Sequence, residues 1–139
     1  SHNRLKYLNR HIFTFVTNLI HLNLSSNLIE SIYIEHFRNI KSLISLDLSK
    51  NRIKRLEDKS FLNLIYLKNL IFNFNSEQIV IKENTLLGLS SIRNLHVWIN
   101  MSIEANVQHI KKSIVPKFVS IIIEQFYFQS IFIENLNYN

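Results

Sequence analysis

Apolar residues recur along this chain in a fixed ladder. Leu19-x-x-Leu22-x-Leu24-x-x-Asn27 returns as Leu43-x-x-Leu46-x-Leu48-x-x-Asn51, and again as Leu67-x-x-Leu70-x-Phe72-x-x-Asn75. The period of 24 residues is that of a stacked repeat array, since a unit this short cannot bury its own apolar face. Within each ladder, alternation such as Leu46-Asp47-Leu48 predicts a short strand with one side buried and the other facing out. Strands one repeat apart then pair in parallel at roughly 4.8 Å. The sheet they line up leaves a ribbon of variable side chains on its outer face.

The register extends in both directions. Upstream, Asn3, Leu5, Leu8, Phe13 and Val16 match the second half of a unit, because Asn27 is followed by Ile29, Ile32, Phe37 and Ile40 at the same offsets. The chain therefore starts inside a repeat, and reads as a piece of a longer protein, since repeat arrays close their ends with dedicated polar caps. Downstream, Leu86 and Leu89 take the places of Phe61 and Leu64, and a fourth unit opens Ile92-x-x-Leu95-x-Val97-x-x-Asn100. Its second half changes character: Ser102, Ile103, Val107, Ile110 and Ile114 are spaced as in a helix over about 102–114, with Lys111 and Lys112 near its end and Pro116 stopping it. A fifth unit, Phe118-x-x-Ile121-x-Ile123-x-x-Phe126, lacks the Asn, and alternating apolar residues through Ile131 and Ile133 predict closing strands. The organisation expected is repeats over 1–100, the first truncated, followed by degenerate terminal repeats over 101–139.

These residues resemble the leucine-rich repeat family in its 24-residue form, L-x-x-L-x-L-x-x-N-x-I-x-x-L-x-x-x-x-F-x-x-L. Leu43, Leu46, Leu48, Asn51, Ile53, Leu56, Phe61 and Leu64 fill every marked position. The resemblance implies an α/β repeat: a right-handed solenoid with a parallel β-sheet on its concave face and an irregular C-terminal part containing one helix. It also implies a segment of the ectodomain of a cell-surface receptor or secreted adhesion protein, of the kind found in animal receptors and matrix proteins. The alternative is an intracellular scaffold or adaptor of the same fold, in the cytoplasm.

The Asn residues have a physical task of their own. Asn27, Asn51, Asn75 and Asn100 stand at the turn after each strand, where an inward amide satisfies main-chain groups that a bend leaves unpaired. Phe13, Phe37 and Phe61 are expected to form a second ladder behind the sheet.

Recognition on the strand face falls to the outward positions of successive units: Ser45 and Asp47, Asn69 and Ile71, Asn94 and His96, with Phe74 and Trp98 just beyond the strands. Aromatics among polar neighbours are the residue types that anchor protein interfaces. The expected partner is a protein ligand on these residues, unless the irregular C-terminal segment folds over the patch.

Composition narrows the chemistry. The formal charge of +6 favours acidic partners, and the knot of Lys50, Arg52, Lys54 and Arg55 makes an acidic glycan a second candidate partner beside the simpler reading of a solvated loop. No specific nucleic-acid partner is expected. With no Cys, disulfides, thiolate zinc sites and cysteine nucleophiles are excluded. The single Gly88 excludes a glycine-rich phosphate loop, and His2, His11, His36 and His109 lack ligand spacing, so neither metal nor cofactor is expected. His21, Ser45 and Asp47 have the residue types of a nucleophile triad, but a flat repeat sheet supplies neither oxyanion site nor pocket, and no enzyme is expected. No apolar run reaches the length of a membrane span, so any membrane attachment would come from parts outside this segment. Two glycosylation sequons occur, Asn23-Leu24-Ser25 and Asn100-Met101-Ser102. Asn23 faces out and is the candidate glycan acceptor of an extracellular protein, whereas Asn100 holds an inward turn position.

Overall fold

The computed structural model describes residues 3–76, 79–82, 84–98, 120–124 and 130–133, of which 97, 98, 120–124 and 130–133 are described as backbone. Each ladder becomes one turn of a solenoid. The centre of each leucine triplet is a short strand: β1 (His21–Asn23) and, two strands further on, β3 (Ser45–Asp47), β5 (Asn69–Ile71) and β6 (Asn94–Trp98). They pair in parallel, one repeat to the next, with Leu22 opposite Leu46, Leu46 opposite Leu70, and Leu70 opposite Leu95. A one-residue slip would turn every leucine outward, so the apolar pattern sets this register. β7 (Ser120–Glu124) continues the sheet in parallel, and β8 (Ser130–Ile133) closes it antiparallel to β7. The order in the six-stranded sheet is β1-β3-β5-β6-β7-β8.

The two strands missing from that order lie elsewhere on the coil. β2 (Ser31–Ile32) and β4 (Arg55–Leu56) pair in parallel as a second, two-stranded sheet. A 3-10 turn, η1 (Ile34–Phe37), follows β2, and it is the sole helix among the described residues. The expected helix over about 102–114 and the turn at Asn100 lie outside the described residues.

Stacking supplies the burial. In the second unit Leu43 and Leu46 are 0% exposed. Leu19 and Leu22, at the same motif positions one unit earlier, are only partly buried against the core. The sequence context is equivalent, so the difference lies in the neighbour on the far side. Behind the sheet, the Phe37 and Phe61 rings stack with centroids 6.1 Å apart and planes 13° from parallel, while Phe13 reaches the core only partly buried. Leu86 and Leu89 are buried where the next aromatic and aliphatic would stand.

The asparagines stitch turns together across units. Asn51 Nδ2 donates to the carbonyls of Leu48 at 3.0 Å and Ser49 at 3.1 Å in its own turn, and to Leu24 of the preceding unit at 2.9 Å. Its Oδ1 accepts the Ile29 N–H at 3.0 Å. Asn75 repeats the pattern one unit on, donating to Leu48 and Phe72 and accepting from Ile53 N–H. Asn27 likewise donates to Leu24 and Ser25 and accepts from Leu5 N–H. Each amide thus pairs backbone groups that the bend leaves without ladder partners.

The bend has a second requirement. The residue before each of these asparagines is left-handed: Ser26 at φ 57, Lys50 at φ 53 and Phe74 at φ 56. Gly88 at φ 96 meets a different constraint, because a Cβ there would lie 2.6 Å from Leu62 Cα and closer still to Leu62 O. The third unit packs backbone against backbone at that point, where only Gly fits.

Candidate ligand-binding face

The strand register sorts the outward side chains into two columns. One runs His21, Ser45, Asn69, Asn94; the other runs Asn23, Asp47, Ile71, His96. His21, Asn23 and Asn94 are exposed, and Ser45, Asp47, Asn69, Ile71 and His96 are half-buried, as expected of side chains that flank one another on a sheet. Asn94 Nδ2 donates to Asn69 Oδ1 at 2.6 Å. That bond uses one donor of Asn94 and one acceptor of Asn69, and the two amides also have an acceptor on Asn94 and donors on Asn69 to offer.

The lower ends of the strands are held in place by their own turns. Asp47 Oδ1 accepts the Ser49 N–H at 2.9 Å, and Asn23 Oδ1 accepts both the N–H and the hydroxyl of Ser25, at 2.9 and 2.7 Å. These Asx turns lead into the left-handed residue of each bend. Ser26, Lys50 and Phe74 occupy that place, and Phe74 is 43% exposed. Ile71 therefore lies on β5 with Phe74 just past it, and Trp98 lies at the end of β6, opposite Glu124 of β7. His21 and Ser45 are direct cross-strand partners, but the Asp47 carboxylate is committed to its turn. The three do not form a relay. Among the described residues no group of three or more His, Cys, Asp or Glu is arranged to hold a metal ion, and no helix is long and apolar enough to cross a membrane.

Positive charge is displaced from this face. No Lys or Arg stands on β1, β3, β5 or β6. The basic knot of the sequence is split by the fold: Lys50 sits in the bend after β3, whereas Arg55 lies on β4 in the second sheet. Lys54 reaches Glu30 at 3.8 Å, and Lys6 reaches the same carboxylate at 3.6 Å from the other side. Solvent screens exposed pairs of this length, so they orient the side chains more than they stabilise the fold.

Sequence reasoning did not single out the cleft that these residues border. A hollow of about 230 Å³ is lined by Tyr7, Glu30, Ser31, Tyr33, Lys54 and Arg55, together with Leu8 and His36. None of them belongs to the six-stranded sheet. The signal available was the repeat register itself, which aligns Tyr7 with Ser31 and Arg55, and Lys6 with Glu30 and Lys54. His36 is 3% exposed and fully engaged: its Nδ1 accepts the Tyr33 N–H at 3.1 Å, and Tyr33 packs edge-on at 5.3 Å. Burial pushes its pKa below the usual value, against opposing contributions from Glu35 and the Leu8 backbone.

A family model described as leucine rich repeat matches residues 1–53. No curated protein matches the chain. Among solved structures, a chain of the TLR13-ssRNA13 complex is similar at 32% identity and TM-score 0.66, over 70% of this chain and 14% of that one. The complex of Toll with Spatzle, from Drosophila and in glycosylated form, contains a chain similar at 18% identity and TM-score 0.55, over 89% of this chain and 22% of that one; this second likeness concerns the fold alone. The chain spans less than a quarter of either. The matched segment holds the ladders from Leu19 to Asn27 and from Leu43 to Asn51 in full, and the same register continues through β6, so this chain belongs to the leucine-rich repeat family.

Proposed function

We propose that this chain is a ligand-recognition segment of a leucine-rich-repeat ectodomain, from a cell-surface receptor or a secreted adhesion protein, and that its strand face binds a protein. The observation that carries the reading is the pair of outward columns, polar but almost uncharged and braced by turn hydrogen bonds, with an exposed aromatic beside them. Such a face costs little ordering on binding. Ser45, Asp47, Asn69, Ile71, Phe74, Asn94, His96 and Trp98 are the proposed contacts. The likeness to the chain of the TLR13 complex supports an extracellular or luminal setting over an intracellular scaffold.

The TLR13 structure contains single-stranded RNA, which makes nucleic acid the natural competitor. Nucleic-acid affinity rests on cations that neutralise phosphates. The strands of the six-stranded sheet carry no Lys or Arg, and Asp47 would repel a phosphate. A protein surface is the better complement.

The test is an array of secreted and cell-surface ectodomains probed with the chain, followed by titration of any hit against D47A, N69A and W98A. Protein ligand on the strand face requires at least a tenfold loss in one or more of these. Full affinity in all three moves the site elsewhere, and stronger binding to single-stranded RNA than to any ectodomain replaces the reading. Expressed behind a signal peptide, the chain is expected to carry a glycan on Asn23, visible by intact mass and removed by N23Q.

A further inference from the structure

The cleft bordered by β2 and β4 differs in chemistry from the strand face. Lys54 and Arg55 supply two cations to its wall, and Glu30 is held between Lys54 and Lys6, so the surroundings carry a net positive charge. Two tyrosines, Tyr7 and Tyr33, line the same hollow. Tyr7 is 69% exposed, and the Lys6 ammonium lies 5.3 Å from its ring centroid. Tyr33 is fixed from below by its edge contact with His36 and by the bond from its N–H to that ring. Aromatic faces beside an Arg, a Lys and a fixed carboxylate form a consistent set. The rings take the C–H face of a pyranose, the carboxylate and the Ser31 side chain accept hydroxyl protons, and the guanidinium of Arg55 offers a fork to an oxyanion.

We propose that this cleft is a second binding site, separate from the strand face, for an anionic saccharide: a pyranose unit bearing a sulfate or carboxylate within a polyanionic glycan. A hollow of about 230 Å³ accommodates one sugar ring with its substituent and leaves the rest of the chain outside. The site is assembled from three successive repeats, Tyr7 from the first, Glu30 and Tyr33 from the next, Lys54 and Arg55 from the third. It therefore exists only when the solenoid is stacked. Of the basic knot in the sequence, Lys54 and Arg55 line the cleft, while Lys50 sits in the bend of the strand-face side.

That division provides the test. Titration of a heparin tetrasaccharide, and of a hyaluronan tetrasaccharide carrying carboxylates alone, is compared between the native chain and three variants at about 100 mM salt. K54Q/R55Q is expected to weaken binding of at least one of the two at least tenfold, and Y7A at least threefold. K50Q/R52Q removes the same formal charge but should change affinity less than threefold. All five substituted side chains are exposed, and far-UV circular dichroism checks that each variant keeps its fold. Equal losses in the two double variants would reduce the effect to general charge attraction and overturn the site. Lack of measurable binding by the native chain overturns it as well, as does equally tight binding of a neutral tetrasaccharide. Poly-glutamate bound as tightly, with the same variant sensitivity, would reassign the cleft to acidic peptides.

Discussion

Replacing Asn51 by Leu preserves side-chain size and adds apolar surface to a buried site, yet it should weaken the protein. The magnitude follows from counting which backbone groups have a second partner. The Ile29 N–H has Asn51 Oδ1 as its acceptor, and Ile29 is 0% exposed. Stranding that donor costs about 1–3 kcal/mol. The three carbonyls that receive Asn51 Nδ2 fare better: Leu24 O retains Asn27 Nδ2, Leu48 O retains Asn75 Nδ2, and Ser49 O retains the Ser26 N–H. Each loses one of two bonds and none is orphaned, which brings the total to about 2–4 kcal/mol. For a chain of this length that is a fall in thermal midpoint of roughly 5–15 °C. Circular dichroism melts and urea titrations of N51L measure it, with N69A as the control, because the half-buried Asn69 amide pairs with another side chain at the surface. N69A should stay within about 0.5 kcal/mol of the native chain. N51L within about 1 kcal/mol of the native chain, or more stable than it, would refute the account of the asparagine ladder.

Three other perturbations probe separate features. G88A places a Cβ against the Leu62 backbone at a left-handed residue, so neither a rotamer change nor a shift of one side chain relieves it; a loss of more than about 2 kcal/mol is expected in urea titration. K50N keeps the left-handed bend at φ 53 but substitutes a residue that tolerates it, and should raise stability by up to about 1 kcal/mol. Buried His36 has its pKa lowered from the ordinary 6.5, so the unfolded chain takes up that proton first. The stability it contributes is complete above pH 6.5 and declines as pH falls through the lower folded value. The thermal midpoint of the native chain should therefore drop between pH 7 and pH 5 by more than that of H36N, whose amide still offers an acceptor to the Tyr33 N–H; identical slopes would remove His36 as a cause.

The frame was legible because one geometry repeats. Leu46 and Leu70 do the same work in the same register, so periodicity in the letters translates directly into strands and core. The left-handed bends were illegible. Ser26, Lys50 and Phe74 hold them, and neither Gly nor Asn marks the place, because the asparagine that follows fixes the turn through its own bonds. The second sheet escaped notice for another reason: β2 and β4 are two residues each, too short for alternation to register. Gly88 looked uninformative as a lone glycine, and its role emerges only from what packs against it.

The two candidate sites differ in how the repeat produces them, and this explains why one was anticipated and the other was not. Strand-face positions alternate with core leucines, so any apolar ladder announces which residues point outward. The cleft depends on positions past the turn, where no apolar alternation labels direction and where three units contribute different residue types to one column: Tyr7, Ser31, Arg55. Reading down the columns of a stacked repeat, one offset at a time, recovers such sites from sequence once the period is known. The same reading separates charge. The Lys6, Glu30, Lys54 column alternates in sign and holds itself together, while the His21, Ser45, Asn69, Asn94 column carries no formal charge at neutral histidine. Placing Lys54 and Arg55 at the cleft and mostly neutral polar groups on the strand face gives one solenoid two surfaces of different chemistry that share no residue.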